Sequence, residues 1–482
     1  MGENNAKNTV VTGLFWRLME RVGAQGVQFI VSIVLARLLA PELFGTIALI
    51  NVFISILEVF VDSGLGNALI QKKNADDLDF STVFFFNLGV CCLLYLGMFF
   101  AAPAIAKFYQ MPDLIAAVRI ISLIVVISGV KNVQQAYVFR TMQFKRFFYA
   151  TLGGTIGAAI VGIWMAYVGF GLWALIAQSL FNMTVDTIIL WVTVKWRPKW
   201  VFSFERLKSL FSFGWKLLAS SLLDTVYNKT RQLIIGRMYT PASLAYYEKG
   251  ENFPAVITNN INTSINSVLF PALASAQEDR EAVRRMTRRS ITVCSYVMWP
   301  LMMGLAACAE PIVKLILTEK WLPCVPFLRI FCITYAFYPF HTANLNAIKA
   351  LGHSDLFLKM EIAKKIVGIS LLVISMWFGV MAIAYSLLLS TLASIIINSW
   401  PNKKLLNYSY IQQITDILPS ILLSSLMFGI VWCVQFLQLG NVLTLLIQLT
   451  VGIVVYVLGS LLMKLESFSY LLGVIKGIIR RK

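Results

Sequence analysis

Apolar runs long enough to cross a lipid bilayer recur along this chain, and they leave few folds open to it. With a rise of about 1.5 Å per helical residue, a hydrocarbon layer needs roughly 20 apolar residues. Segments of that length fall near 13–38, 43–69, 80–102, 115–137, 147–168, 172–194, 211–238, 243–269, 290–311, 325–348, 357–378, 381–399, 411–436 and 441–463, fourteen in all. Hydrophobic residues make up 58% of the 482 and charged residues only 13%, against roughly 25% charged in a soluble domain. The expected fold is therefore an all-α polytopic membrane protein. The first segment carries Arg17, Glu20 and Arg21, which marks a retained span and not a removed signal peptide.

The net charge of +18 would suggest nucleic acid as a partner of a soluble protein. Here the basic residues cluster in alternate short links, among them Lys72 and Lys73, Arg140 to Arg146, Lys195 to Lys208, Arg280 to Arg289, and Lys403 and Lys404. That is the pattern of loops on the cytoplasmic side of a membrane, so no nucleic-acid partner is expected and both termini are placed in the cytoplasm. The tight links at 39–42, 169–171, 239–242, 379–380 and 437–440 pair odd segments with the even ones that follow.

Two stretches resemble each other. Residues 13–45 (GLFWRLMERVGAQGVQFIVSIVLARLLAPELFG) and 212–245 (SFGWKLLASSLLDTVYNKTRQLIIGRMYTPASLA) align at Trp16 with Trp215, Arg17 with Lys216, Arg37 with Arg237 and Pro41 with Pro241. An even number of crossings separates the copies, which implies a parallel repeat about an axis along the membrane normal. The expected organisation is a lobe of six spans over 1–200, a second over 201–405, and a C-terminal helix pair with a basic tail over 406–482. Each proline sits where a helix starts and a missing N–H costs little. Arg37 and Arg237, one turn earlier, either compensate the helix dipole and snorkel to headgroups or grip an anionic substrate or close an outer gate.

Ionisable and amide side chains inside spans are costly in lipid and are tolerated where they face water or each other. Arg17, Arg21, Gln25, Gln28 and Ser32 share one face of the first span, with Glu20 beside Arg21; Asn51, Ser55, Glu58 and Asp62 share one face of the second. The second copy repeats this with Lys216, Ser220, Asp224, Asn228 and Arg231, with Lys229 off the stripe, and then Glu248, Asn252, Asn259, Thr263 and Asn266, widened by Lys249, Glu251, Asn260 and Asn262. Four such stripes in two equivalent places point to a hydrated cavity of mixed charge; the competing reading is interhelical glue. Asp62, Arg17 and Arg21 fall toward the cytoplasmic ends, where a gate role is equally open. Lys131, Asp186, His341 and the 361–365 stretch stand as isolated polar positions.

Negative findings narrow the chemistry. There is no phosphate-binding G-x-x-x-x-G-K-[ST] loop, no H-E-x-x-H and only two histidines, His341 and His353. Seven scattered cysteines form no ligand cluster. No catalytic residues, metal or cofactor are expected, and the chain reads as a transporter and not an enzyme.

Three pieces, ARLLAPELFGTIAL, DSGLGNALIQKK and SVLFPALASAQEDREAVRR, give a resemblance that covers essentially the whole chain. In their order and spacing the chain resembles the bacterial polysaccharide transporters, the flippases for O-antigen, colanic-acid and teichuronic-acid precursors, in the superfamily that also holds multidrug extrusion transporters and lipid II flippases. The resemblance implies two six-helix bundles and alternating access in the bacterial cytoplasmic membrane. The cargo it implies is an undecaprenyl-diphosphate-linked oligosaccharide carried to the periplasmic leaflet. It places Arg17, Arg21, Lys216, Lys229 and Arg231 at the diphosphate and any acidic sugar, with Gln25, Gln28, Asn228, Asn252 and Asn259 beside them at the headgroup. Glu20, Arg37, Glu58, Asp62, Asp224, Arg237, Glu248 and Glu251 become gate or ion-coupling candidates, with H⁺ or Na⁺ as the coupling ion. A glycan polymerase or glycosyltransferase complex is a candidate partner, besides the bilayer itself. The alternatives are a multidrug cation antiporter on the same fold and a non-transporting scaffold for glycan assembly.

Overall fold

The computed structural model describes the backbone of residues 3–62, 64–437 and 439–480, and their side chains except those of 3–11, 13–15, 18, 213, 475 and 478–480. Arg481, Lys482 and the side chain of Arg480, part of the expected basic tail, lie outside the described residues. Among the described residues the secondary structure is helical, without strands. Eleven helical stretches among the described residues are long and apolar enough to span a membrane. The other three expected spans coincide with helices too rich in polar groups to meet that measure, two of them the second copy of the repeat.

The chain divides into two compact units, residues 1–245 and 246–482. The first contains α1 (Glu3–Leu38), α2 (Pro41–Asp62), α3 (Leu65–Gln71), α4 (Asp77–Tyr109), α5 (Leu114–Ile121), α6 (Leu123–Arg140), α7 (Phe144–Val168), α8 (Leu172–Thr193), α9 (Phe204–Met238) and the opening turn of α10 (Pro241–Ser275). The second holds the rest of α10, then α11 (Arg280–Ala307), α12 (Ala309–Ile316), α13 (Val325–Ala336), α14 (Tyr338–Ala350), α15 (Ser354–Ser375), α16 (Val380–Leu406), α17 (Tyr410–Cys433), α18 (Asn441–Leu462) and α19 (Glu466–Arg480).

Three expected spans are present as membrane-length stretches but interrupted. The span expected over 43–69 breaks between α2 and α3, where Gly64 has a left-handed φ of 68°. A side chain there would be strained, and a Cβ would lie 2.7 Å from the Gly214 carbonyl oxygen. The spans expected over 115–137 and 325–348 are each two helices, divided at Ser122 and Phe337. The C-terminal tail is the amphipathic helix α19, which follows a left-handed turn at Lys464.

The repeated turn has the same geometry twice. The Leu39 N–H donates to the Leu35 carbonyl at 2.8 Å, and the Tyr239 N–H to the Ile235 carbonyl at 2.9 Å. Both helices thus close at the same point, and a proline opens the next one two residues later. In the first unit α2 runs antiparallel to α9 over its full length. A Cβ on Gly45 would overlap the Pro241 carbonyl, one on Gly236 would meet Leu49 at 2.8 Å, and Gly64 rests on Gly214. Glycines are needed at these points because backbone meets backbone or a packed side chain.

The DSGLGNALIQKK segment is a buttressed corner. Lys72 Nζ donates to both Asp79 oxygens at 2.6 and 2.7 Å, and Asp79 is fully buried. Asp76 and Asp79 form a reciprocal capping box at the start of α4, satisfying N–H groups that the first helical turn leaves without partners. Arg140 donates to the carbonyls of Leu69, Lys72 and Lys73 at 2.7–2.8 Å, closing the α3 end. Around this corner Phe80, Phe84, Val133, Phe147, Leu190, Trp196 and Leu207 form a buried core. A second core, in the other unit, joins Leu273, Ile291, Phe340, Ile395, Tyr408 and Ile417.

Asp76 lies outside the spans, and its carboxyl is held below the ordinary carboxylate range, chiefly by the Asp79 N–H and also by the nearby Arg206 guanidinium. A depressed folded-state value means that this contribution is complete above the unfolded value and is lost as pH falls through the folded one. The helix-start contribution of Asp76 should therefore be flat at neutral pH and vanish in acid, read as an Asp76→Asn difference in thermal midpoint that shrinks below pH ~4. Gly45→Ala should destabilise the purified protein by about 1–3 kcal/mol through overpacking on the Pro241 carbonyl. Gly429→Ala, with nothing within 4 Å of its Cβ, should show the usual helix-interior gain of roughly 0.5–1 kcal/mol; equal gains at both positions would remove the contact at Gly45 from the account.

Candidate functional site

Members of the expected polar stripes are in part exposed and in part paired, and Asn266 and Asp62 are both. On α9, Lys216, Ser220, Asp224 and Asn228 are all exposed, each four residues from the next and so on one helix face. On α1, Arg21, Gln25 and Gln28 are exposed, and Arg21 makes no ion pair among the described residues. On α10, Asn252, Asn259, Thr263 and Asn266 are exposed while Glu248 is half-buried; on α2, Asn51 and Asp62 are exposed while Ser55 and Glu58 are half-buried. Exposed amides and charges at these depths cannot be solvated by hydrocarbon, so these faces require water or polar cargo.

Other members of the same stripes are engaged. Arg17 Nη1 donates to Glu20 Oε2 at 2.6 Å, and its guanidinium lies 5.2 and 5.5 Å from the ring centres of Phe139 and Phe147. Glu20 therefore turns one helical turn back to Arg17 and not to its neighbour Arg21. Glu251 accepts from the Tyr335 hydroxyl at 2.7 Å, Asn262 from Thr342 at 3.2 Å, and Asn266 from Asn346 at 2.7 Å. One side of α10 is thus committed to packing in the second unit. Arg37 and Arg237 are exposed in the last turns of α1 and α9, and Arg237 lies 5.0 Å over the Phe108 ring.

Lys229 is half-buried, and Arg231 is only 5% exposed. Arg231 Nε and Nη2 are buried without a hydrogen-bond partner among the described residues, and its guanidinium lies 5.9 Å from the Tyr227 ring centre. A buried guanidinium with two idle donors is costly unless an anion or another acceptor meets it.

Two residues read as isolated from sequence belong together. Lys131 of α6 forms an ion pair with Asp186 of α8, both nearly buried, and lies within electrostatic reach of Glu58 and Asp62. Asn132 Nδ2 donates to Asp62 Oδ1 at 3.0 Å, and Asp62 opens into a cavity of about 300 Å³ with Asn67, Asn132 and Gln135. One lysine inside the first unit is thus paired with one carboxylate and influences two more. Sequence spacing gave no hint of it, because 55 residues separate Lys131 from Asp186. The approach of α7 to α8 depends on Gly154, where a Cβ would come within 2.9 Å of Asn182. Gln28 lines a second cavity, of about 240 Å³, with Ser32, Gln178, Ser179 and Asn182.

The second unit has a buried amide network that sequence reasoning missed. Asn344 donates to Gln413 at 2.8 Å and accepts from Asn402 at 2.6 Å, and Asn398 meets His341 Nδ1 at 3.0 Å. Asn398 and Asn402 lie four residues apart on α16, and His341 and Asn344 three apart on α14, so the signal was there as polar positions on otherwise apolar faces. Among the described residues no group of three or more His, Cys, Asp or Glu side chains is arranged to hold a metal ion.

The Lys131–Asp186 pair gives a direct test. Lys131→Met should reduce stability by about 3–5 kcal/mol, because it leaves a buried carboxylate without its partner. Lys131→Met with Asp186→Leu should recover most of that in thermal unfolding of the purified protein. No recovery would mean that the two side chains act separately.

With this geometry in hand, comparison with known proteins identifies the chain's relatives. A family model described as polysaccharide biosynthesis protein matches residues 34–326. The succinoglycan biosynthesis transport protein ExoT of Rhizobium meliloti strain 1021 is 26% identical over 331 residues, 68% of this chain and 67% of that one. The lipopolysaccharide biosynthesis protein WzxC of Escherichia coli strain K12 is 25% identical over 400 residues, 82% of this chain and 80% of that one. Among solved structures, the lipid II flippase MurJ in an inward closed conformation matches with a TM-score of 0.75 at 14% identity, over 94% of this chain and 98% of that one. An inward-facing multidrug resistance transporter of the MATE family matches with 0.61 at 14% identity, over 79% and 94%. At such identities the last two establish the fold alone. The chain is thus a multi-pass, all-helical membrane protein that belongs to the polysaccharide biosynthesis protein family, on the fold it shares with MurJ and the MATE transporters.

Proposed function

We propose that this protein flips an undecaprenyl-diphosphate-linked oligosaccharide from the cytoplasmic to the periplasmic leaflet of the bacterial cytoplasmic membrane, by alternating access, with both termini in the cytoplasm. The observation that carries the reading is the exposure of cations and amides within helices of membrane length: Arg21, Gln25 and Gln28 on α1, Lys216 and Asn228 on α9, and Asn252 and Asn259 on α10. A diphosphate-sugar headgroup needs such a route, because its charges and hydroxyls cannot be stripped of water in hydrocarbon. The transport protein ExoT and the fold of the lipid II flippase MurJ support a lipid-linked glycan as cargo.

Within that reading the residues take different parts. Arg21 and Lys216 supply open charge for the diphosphate, and Arg231, with two idle donors, supplies a fork for it. Arg17 is held by Glu20 and two aromatic rings, so it serves the headgroup only if that pair opens. Asn228, Asn252, Asn259, Gln25 and Gln28 suit sugar hydroxyls, and Lys229 adds charge to the same helix. Glu58 and Asp62, close to Lys131, suit H⁺ or Na⁺ coupling. Asp224, Glu248 and Glu251 remain gate candidates, with Glu251 tied to Tyr335 in the state described. Arg37 and Arg237 stand at the helix ends as gate or headgroup anchors.

The experiment is reconstitution into vesicles with a fluorescent polyprenyl-diphosphate sugar and a reagent that reads only the outer leaflet, under a proton gradient, a sodium gradient or neither. Arg21→Ala and Lys216→Ala should each slow transfer by roughly tenfold, the effect of losing one charge-assisted contact, with normal yield of folded protein. Lys404→Ala, exposed in the last turn of α16, should leave the rate unchanged. No transfer by folded protein in any gradient, or efflux of a lipophilic cation instead, would contradict the reading.

A further inference from the structure

Arginines crowd the start of α11, and the last of them, Arg289, stands where the helix becomes wholly uncharged from Ser290 to Ala307. A residue at that boundary sits at headgroup depth when the apolar length fills the hydrocarbon. Beside it a cavity of about 420 Å³ opens between α11 and α19, lined by Arg285, Arg288, Arg289, Thr292, Glu466 and Tyr470. Helix α19 is strongly amphipathic, the pattern of a helix lying in the membrane surface. It is seated on α11 by Phe468 against Tyr296, and Tyr296 is fixed to α18 by a hydrogen bond of 2.7 Å between its hydroxyl and that of Ser460 and one of 2.7 Å that its carbonyl accepts from the Tyr456 hydroxyl.

The three guanidinium groups differ in what they have left to give. Arg288 is consumed by Asp416, to which it donates twice, at 2.9 and 2.8 Å. Arg289 lies 4.3 Å over the Tyr470 ring, a stacked position that orients the group and leaves its N–H donors open. Arg285 is mostly exposed and comes no closer than 3.9 Å to Asp279, beyond hydrogen-bond range. Glu466 is the carboxylate in the cavity lining, and Asp416 and Asp279 stand at Arg288 and Arg285. Below the arginines the wall turns apolar at Val293, one turn past Arg289 and continuous with the uncharged part of α11, while Met286 adds an apolar patch among the arginines.

We propose that this cavity binds the phosphate of an anionic lipid headgroup, gripped by Arg285 and Arg289, with the acyl chains running down the apolar flank of α11. Two guanidinium forks match phosphate oxygens in geometry and charge. The apolar lower wall favours an amphiphile over a soluble anion. Bound lipid would fasten α19 to α11, so the protein's stability would depend on anionic lipid. The inference needs only that the chain spans a membrane, and it stands apart from the identity of the cargo.

The test is native mass spectrometry of the detergent-purified full chain with phosphatidylglycerol, with phosphatidylcholine, and with phosphatidylglycerol in competition with inorganic phosphate. Phosphatidylglycerol should be retained and phosphatidylcholine should not. Arg285→Gln with Arg289→Gln should weaken retention roughly thirtyfold, about fivefold for each charge near a lipid surface. Glu466→Gln should tighten it by about fivefold on the same grounds, which tests the site even if the double variant folds poorly. Lys403→Gln with Lys404→Gln, in the exposed last turn of α16, should change nothing. Equal retention of both lipids, indifference to all the cavity substitutions, or displacement by inorganic phosphate at concentrations equal to the lipid would overturn the proposal.

Discussion

A charge inside a membrane helix must meet a partner or meet water, and that requirement orders the rest of this structure. Lys72 with Asp79 and Lys131 with Asp186 meet the demand by pairing, and Glu251 does so through the Tyr335 hydroxyl. These contacts fix a corner, a helix bundle and one side of α10. Arg21, Lys216 and the amides that follow them stay exposed instead. In hydrocarbon that state would cost several kcal/mol per group, so the faces that carry them are wet faces, and a wet face through a membrane protein is a route for something polar.

The repeat explains how such faces arise in equivalent helices. The same turn closes α1 and α9, with an N–H to the fourth preceding carbonyl and a proline two residues later. Each proline starts a helix without losing a bond, so each helix pair enters and leaves the membrane at a fixed register. Gly45 then lets α2 lie on the Pro241 carbonyl, and Gly64 and Gly236 permit similar closeness further along. The recurring segment thus ends one span and sets the start and close packing of the next.

Sequence periodicity carried far where one helix held the information. The spacing of Lys216, Ser220, Asp224 and Asn228 was enough to place them on one face, and that face is exposed throughout. It failed where the partner came from elsewhere. Lys131 and Asp186 looked solitary because each lies in an apolar run, and the α6–α8 contact that joins them has no local signature. Helix α19 looked like a basic tail because its charge was counted and its amphipathic period was not. The break at Gly64 was hidden by the apolar continuity of Leu65 to Ile70, which hydropathy cannot divide.

The most direct measurement of the central claim is thiol accessibility in a cysteine-free background, with single cysteines at positions 21, 216, 224, 228 and 252 and a membrane-impermeant reagent. Leu93→Cys and Ile160→Cys, exposed positions on apolar spans, serve as lipid-facing references. The account predicts fast labelling at the polar-stripe positions and little at the two references. Labelling at the stripes as slow as at Leu93→Cys and Ile160→Cys would show that those faces are dry.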